Sequence, residues 1–309
     1  MNGLETVAPE LRDIVMTSVR ELGYVPNPAA RSLVTQRTDS FAFVVPELER
    51  RVFSDDAFFS TVMEGVGKQL AHEGKQLVVM LAQTPESYER IERYAKGGHV
   101  DGVIIASMHG HDALLDALTR TSIPVVASGR PLDRQMVPYV DVDHRDAVHD
   151  AVVYLLTSGR RHIATIAGPQ EMIAGVERLN GYLAAVSAAG LPAVVAYGDF
   201  TRDSGSTAMR ELLDRGEAID AVFAASDLMA DGAIRVLRQA GLRVPVDVAV
   251  IGFDDTDVAR YSEPPLTTIR QPLHQIGVTL ARQVLRLAAG EDVEEVVLLP
   301  TELVIREST

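Results

Sequence analysis

From Phe41 onward, short β-branched and apolar runs alternate with longer stretches whose apolar positions recur at helical spacing. That alternation predicts βαβ units and a mostly parallel sheet. Residues 41–45, 77–81, 102–106 and 125–128 form one set of expected strands, and 163–167, 194–197, 221–225 and 248–251 form a second. Ahead of them, residues 9–22 read as a helix. Pro9 suits the first helical position, Leu11, Ile14, Val15, Val19 and Leu22 make an apolar stripe, and Gly23 supplies the stop. The stripe faces a partner that the chain does not obviously contain. Residues 26–36 carry weaker helical signals at Ala29, Ala30 and Leu33, and Thr38-Asp39-Ser40 reads as a linker.

The two sets of strands are one pattern written twice. DGVIIAS, from Asp101, matches DAVFAAS, from Asp220. Ile123-Pro124-Val125 matches Val244-Pro245-Val246, and the run from Phe41 matches the run from Ile163; the offsets are 119, 121 and 122 residues. Preserved order at a nearly constant offset predicts two similar lobes. Lobes whose strand ends face each other enclose a cleft, where small ligands usually bind.

Composition narrows the picture. A chain of 309 residues, 47% hydrophobic, can bury a large core and hold two domains. No apolar run approaches the roughly 20 residues of a membrane span, and the first 25 residues show no basic or apolar leader pattern, so a cytoplasmic location is expected. With no cysteine, disulfides, thiolate chemistry and cysteine-ligated metals are excluded. The net charge of −14 opposes non-specific nucleic-acid binding over the whole surface, though not a small DNA-binding appendage.

Candidate chemistry concentrates in VIGFDDTDVARYSEPPLTTIRQP, from Val250 to Pro272. A buried strand is expected to break at Gly252 and to leave Asp254 and Asp255 at its end, followed by a proline-rich connection and a second β-branched run. Ligands of open α/β sheets bind beyond the carboxyl ends of strands, so Asp254 is a candidate acceptor for hydroxyl or N–H groups; an aspartate capping a turn has the same local appearance. Catalytic motifs are missing. Gly65-Val66-Gly67-Lys68 lacks the phosphate-loop spacing and lies in a helical pattern, no G-x-G-x-x-G follows the first strand, and no G-x-S-x-G occurs. His109-Gly110-His111-Asp112 reads as a polar loop rather than a metal site. Neither an enzyme nor a cofactor is expected.

Several segments together resemble the LacI/GalR (lactose-repressor) family of bacterial transcriptional regulators: ELGYVPNPAARSL from Glu21, VPYVDVDHRDAVHDAVVYLLTSGRRHIATIAGP from Val137, ERLNGYLAAV from Glu177, and AASDLMADGAIRVLRQAGLRVP from Ala224. The resemblance covers nearly the whole chain. It implies an α/β fold of two periplasmic-binding-protein-like lobes with parallel sheets, the first formed by 40–141 and 272–299 and the second by 142–271 and 300–309. Residues 1–26 would be a truncated remnant of the helix-turn-helix headpiece, lacking its first two helices, and 27–39 the hinge helix and linker. Residues 1–39 hold four Arg against five acids, a poor footprint for DNA, so operator binding by this form is expected to be weakened or lost. In the hinge, Leu33 matches a minor-groove wedge, and Asn27 and Ala30 match neighbouring contacts.

The resemblance also carries an effector site. Asp254 matches an aspartate that hydrogen-bonds ligand, and Arg178 an arginine whose fork binds adjacent oxygens. Ser226 and Asp227 follow the repeated AAS strand end and are expected to reach the cleft, although Asp227 would also suit a helix cap. Phe200 matches an aromatic wall, Phe58 and Phe59 an aromatic pair of which one is expected to touch ligand, and Gln271 and Arg130 map nearby. Met172 and Ala174 stand where purine-binding relatives place polar contacts. The implied function is an effector-responsive, homodimeric DNA-binding regulator, expected to be a repressor, whose small-molecule effector is a sugar bound between the lobes. The alternative is a sugar- or solute-binding protein without DNA binding.

Overall fold

The chain divides into two units, residues 1–38 and 39–309. The structure, a computed structural model, describes residues 8–22, 37–47, 57–106, 113–132 and 137–309. In the first unit the helical stripe forms α1 (Pro9–Glu21); Leu11 and Ile14 along it, and Leu22 just after it, are exposed. The hinge residues Asn27, Ala30 and Leu33, and the His109 to Asp112 run, lie outside the described residues.

Among its described residues the second unit holds two six-stranded sheets. One contains β1 (Ser40–Val45), β2 (Gln76–Leu81), β3 (Gly102–Ala106), β4 (Val125–Ser128), β5 (Tyr139–Val142) and β11 (Val296–Leu299), in the order β2-β1-β3-β4-β5-β11. The other contains β6 (Ile163–Ala167), β7 (Val194–Tyr197), β8 (Ala221–Ala224), β9 (Ala249–Asp254), β10 (Thr267–Arg270) and β12 (Glu302–Val304), in the order β7-β6-β8-β9-β10-β12. Strand for strand the first five positions correspond, so the repeat in the sequence is a repeat of topology. Every pairing is parallel except the last of the second sheet, where β12 runs antiparallel to β10. Two details differ from the sequence reading. Val244-Pro245-Val246 lies in a turn ahead of β9, whereas Pro124 directly precedes β4. And β9 does not break at Gly252: that residue pairs in register with Thr268, and the strand runs on to Asp254.

The helices are α2 (Ala57–His72), α3 (Pro85–Lys96), α4 (Ala113–Thr119), α5 (His144–Thr157), α6 (Ile173–Ala188), α7 (Arg202–Asp214), α8 (Asp227–Gln239), α9 (Asp257–Tyr261) and α10 (Leu273–Ala288). Sandwiching a parallel sheet between helices buries both faces, which is why β1 and β3 read as unbroken apolar runs. Phe41, Phe43 and Ile104 pack with Phe59, Val62 and Val66 of α2 and Leu280 of α10. Their neighbours Ala42, Val44 and Ile105 pack on the opposite face with Ile91 of α3 and Leu114 of α4.

Two features aim this scaffold at one place. Gly65 of α2 and Gly277 of α10 let the two backbones touch: a Cβ at Gly65 would stand 2.2 Å from the His274 carbonyl oxygen, and one at Gly277 2.1 Å from that of Val62. That crossing fixes the start of α2, with Phe58 and Phe59, beside Ile276. Among the described residues, the chain also passes from one sheet's lobe to the other at Asp143, at Gln271-Pro272 and at Pro300-Thr301.

Candidate functional site

A cleft opens between the two sheets' carboxyl ends, beside the crossing segments. From the first lobe, Phe58, Phe59, Arg130, Val140, Asp141 and Ile276 line it. The second lobe contributes Arg178, Phe200, Ser226, Asp254 and Gln271, with His144 at the crossing and Met172 and Ala174 at one side.

The polar groups form one connected chain. Asp254 ends β9, and its Oδ1 accepts a hydrogen bond from Gln271 Nε2 at 2.6 Å and lies 3.8 Å from Arg178 Nη2. Arg178 is buried on α6; it donates from Nη1 to the Ala225 carbonyl at 2.6 Å and from Nε to His144 Nδ1 at 3.4 Å. Its guanidinium also sits over the Phe253 ring, 3.6 Å from the centroid, and 5.4 Å from that of Phe200, a placement that replaces some of the hydration a buried cation loses. His144, first residue of α5 after the Asp143 cap, reaches Asp141 Oδ1 through Nε2 at 3.0 Å. Arg178 Nε and Asp141 Oδ1 thus engage the two ring nitrogens of His144. Asp141 further accepts from the backbone N–H groups of Arg130 and Val142, both at 2.9 Å. Burial pushes its carboxyl up, but His144 and the two N–H donors outweigh that and hold it below the ordinary value. At the cleft's edge Arg130 reaches across to α6, its Nη2 2.9 Å from Glu177 Oε1.

Aromatic surface comes from both lobes. Phe200 sits at φ 66°, and its ring lies against Gly168 so closely that a Cβ there would stand 2.4 Å from ring carbon Cε1. Glycine at 168 is therefore a condition for this wall. Phe58 and Phe59 pack edge to face, centroids 5.2 Å apart. Phe59 is 2% exposed and belongs to the core, which leaves the half-buried Phe58 as the ring offered to a ligand.

Of the residues read from the sequence, Phe58, Phe59, Arg130, Arg178, Phe200, Ser226, Asp254 and Gln271 all line the cleft. Asp227 does not. Ser226 is the helix cap, its Oγ accepting from the Met229 N–H, so Asp227 becomes the first residue of α8 and turns into the second lobe. There its Oδ1 accepts from Thr268 Oγ1 at 2.5 Å and its Oδ2 from the Thr256 N–H at 2.8 Å. Burial, then the nearby charge of Asp254, push its carboxyl well above the ordinary range. The sequence reading missed Asp141 and His144. Asp141 stands one residue before the end of β5, so the strand-end rule that singled out Asp254 reaches it too. Among the described residues, no group of three or more His, Asp or Glu side chains could hold a metal, and no helix is long and apolar enough to cross a membrane.

Residues 152–309 match the model of the periplasmic binding protein-like domain. Over its full length the chain is 48% identical to the HTH-type transcriptional regulator CelR of Thermobifida fusca, covering 92% of that protein. It is 33% identical to the HTH-type transcriptional repressor CytR of Escherichia coli K12, over 99% of this chain and 89% of CytR. Among solved structures, a transcriptional regulator CelR–cellobiose complex superposes with a TM-score of 0.85 at 45% identity, covering 100% of this chain and 93% of that one. The Lac repressor bound to ONPG in the repressed state gives 0.84 at 27% identity, with the same coverage.

Proposed function

The chain belongs to the LacI family of transcriptional regulators, and on that premise we propose that its effector is an uncharged sugar of disaccharide size, of the cellobiose class, held between the lobes. One observation carries this reading: the charged groups at the cleft are already matched inside the protein, Arg178 with Asp254, Asp141 with His144, and Arg130 with Glu177. A phosphate or carboxylate would have to displace a built-in partner. A neutral polyol fills the remaining donor and acceptor capacity and stacks on Phe58 and Phe200. The CelR–cellobiose complex adds support, because that relative takes a neutral disaccharide.

In this reading Asp254, Gln271 and Ser226 accept from or donate to sugar hydroxyls, and Arg178 donates to a ring or hydroxyl oxygen. Residues 40–141 with 272–299, and 142–271 with 300–309, act as the two jaws. Sugar that contacts both favours the closed cleft by its differential affinity for that state. Closure is transmitted through the first lobe of a homodimer to DNA-contacting segments in the cytoplasm, linking sugar and operator affinities by about 1–3 kcal/mol.

Thermal shift against cellobiose, glucose, glucose 6-phosphate and inosine tests the class. Cellobiose is expected to raise the melting temperature by mass action, and the phosphate and the nucleoside to leave it unchanged. A shift with glucose 6-phosphate or inosine but none with cellobiose overturns the reading. Gel shift with operator DNA, with and without cellobiose, then tests the linkage.

A further inference from the structure

We propose that Asp255 is the positioning residue for Asp254, and that Arg306, near the C-terminal end of the chain, is the group that holds Asp255 to that task. The inference rests on the reading of Asp254 as an effector ligand and assigns the device that aims it.

Two consecutive L-residues, Asp254 at φ 118° and Asp255 at φ 58°, occupy the half of backbone space that favours glycine. Such a pair persists only where its surroundings over-determine it. The structure shows what does so. The two carboxylates point opposite ways: Asp254 faces the cleft and Gln271, whereas the side chain of Asp255 has no exposed surface. Asp255 Oδ2 accepts from Arg270 Nε at 2.6 Å, Oδ1 accepts from Arg306 Nη2 at 2.5 Å, and Arg260 Nη2 stands 3.9 Å away. Arg306 is itself fixed: Nη1 donates to the Leu266 carbonyl at 2.8 Å, and its backbone N–H donates to Thr267 Oγ1 at 2.8 Å. Arg270 is held from outside by Glu302 at 2.7 Å. On the far side, Thr256 is tied to Asp227.

The bend is thus gripped on both flanks, and the positive φ of Asp254 is what turns its carboxylate from the strand direction toward Arg178 and Gln271. Remove the Arg306 guanidinium and Asp255 keeps Arg270 alone as a close partner, so the grip that opposes return of the bend to ordinary β or helical dihedrals is loosened on one carboxylate oxygen. That return rotates the Asp254 carboxylate out of the cleft. A segment that lies far from the cleft in sequence, and does not line it, then sets effector affinity.

The test uses Arg306→Met, which keeps the stem and removes the charge, with Arg306→Lys as the conservative variant. A crystal structure of Arg306→Met is expected to show residues 254–255 at changed φ and the Asp254–Gln271 hydrogen bond broken. Unchanged dihedrals with that bond intact overturn the proposal, whichever sugar is bound. Calorimetry with cellobiose gives the second readout. Arg306→Met should weaken binding at least tenfold, Arg306→Lys should recover part of it, and in an Asp254→Asn background the same change should cost little more, because it acts through Asp254. Additive losses overturn the positioning role. Cellobiose binding that survives Asp254→Ala sinks the effector-site reading instead, and the dihedrals of Arg306→Met still decide the clamp.

Discussion

The two lobes share a strand order but face the cleft with different chemistry. At its edge of the cleft the first lobe presents Phe58, Phe59, Val140 and Ile276, with Arg130 and Asp141 tied to each other's segment. The second presents Arg178, Gln271, Asp254 and Ser226, joined to one another or to their own backbone, beside the Phe200 ring. The difference originates in the strand ends: β9 finishes on an aspartate in a strained bend, whereas its counterpart β4 finishes on Ser128, with Gly129 following it at φ 90°. One topology therefore carries a jaw with a pre-arranged polar set beside an aromatic wall, and a jaw that offers mainly apolar shape. Polar recognition should reside in the second lobe, and closure by the first should add mainly stacking area.

The sharpest way to break that division is Arg178→Ala. Its loss leaves Asp254 buried without its nearby cation and the Ala225 carbonyl without its donor, a kind of loss that costs about 3–5 kcal/mol. Cellobiose affinity is expected to fall at least a hundredfold, and the denaturant midpoint to drop as well. An affinity unchanged by calorimetry would remove Arg178 from the site. Next in size is Asp254→Asn. Binding should fall roughly tenfold or more, about 1.4 kcal/mol, while the denaturant midpoint should move less than in Arg178→Ala, because relief of the repulsion on Asp227 offsets part of the cost of leaving Arg178 without its carboxylate. The pH dependence follows. Folded Asp227 has a raised pKa and holds its proton more tightly than the unfolded chain does, so stability falls as pH rises from the ordinary carboxylate range through the raised value. Urea midpoints between pH 4 and pH 8 should show that decline in the parent and a shallower one in Asp254→Asn; parallel curves would mean the two carboxyls do not interact.

In the first lobe the expected effects are smaller. Phe58→Leu keeps an apolar side chain and loses the flat ring, worth about 0.5–1.5 kcal/mol of stacking, so cellobiose affinity should fall by a factor of roughly two to ten. The parallel change Phe59→Leu should act on thermal stability instead, since that ring is in the core. If Phe58→Leu costs as much as Arg178→Ala, the apolar jaw carries recognition and the division fails.

How far this was legible in the sequence depended on whether the deciding contacts were local. The repeated strands were legible because a doubly covered parallel sheet writes its burial directly as apolar runs. Arg178 and Asp254 were reached by family resemblance, and Asp254 also by its strand-end position. Asp227 was misplaced because the first residue of a helix can turn either way. Here Thr256 and Thr268, on other elements, draw it inward. His144 gave no local signal at all, since its role comes from lying between Asp141 and Arg178, which only the crossing of the chain brings together. The grip on Asp255 was equally hidden, because Arg306 is 51 residues away.

The smallest expected effect belongs to Arg130, the polar side chain of the first lobe that reaches α6 at the cleft edge. Arg130 and Glu177 keep 47% and 26% of their side-chain surface exposed, and pairs so placed contribute about 0–1 kcal/mol and are screened by salt. The floor of the site does not depend on that guanidinium either, because Asp141 is held by the backbone N–H of Arg130, which alanine retains. Arg130→Ala and Glu177→Ala should each change cellobiose affinity by less than about fivefold, with a coupling in the double variant that fades at high salt. A larger, salt-insensitive loss for Arg130→Ala alone would mean that its guanidinium leaves Glu177 and bonds the sugar directly when the cleft closes. The apolar jaw would then own a polar contact of its own, and the contrast between the lobes would describe the open cleft rather than the bound one.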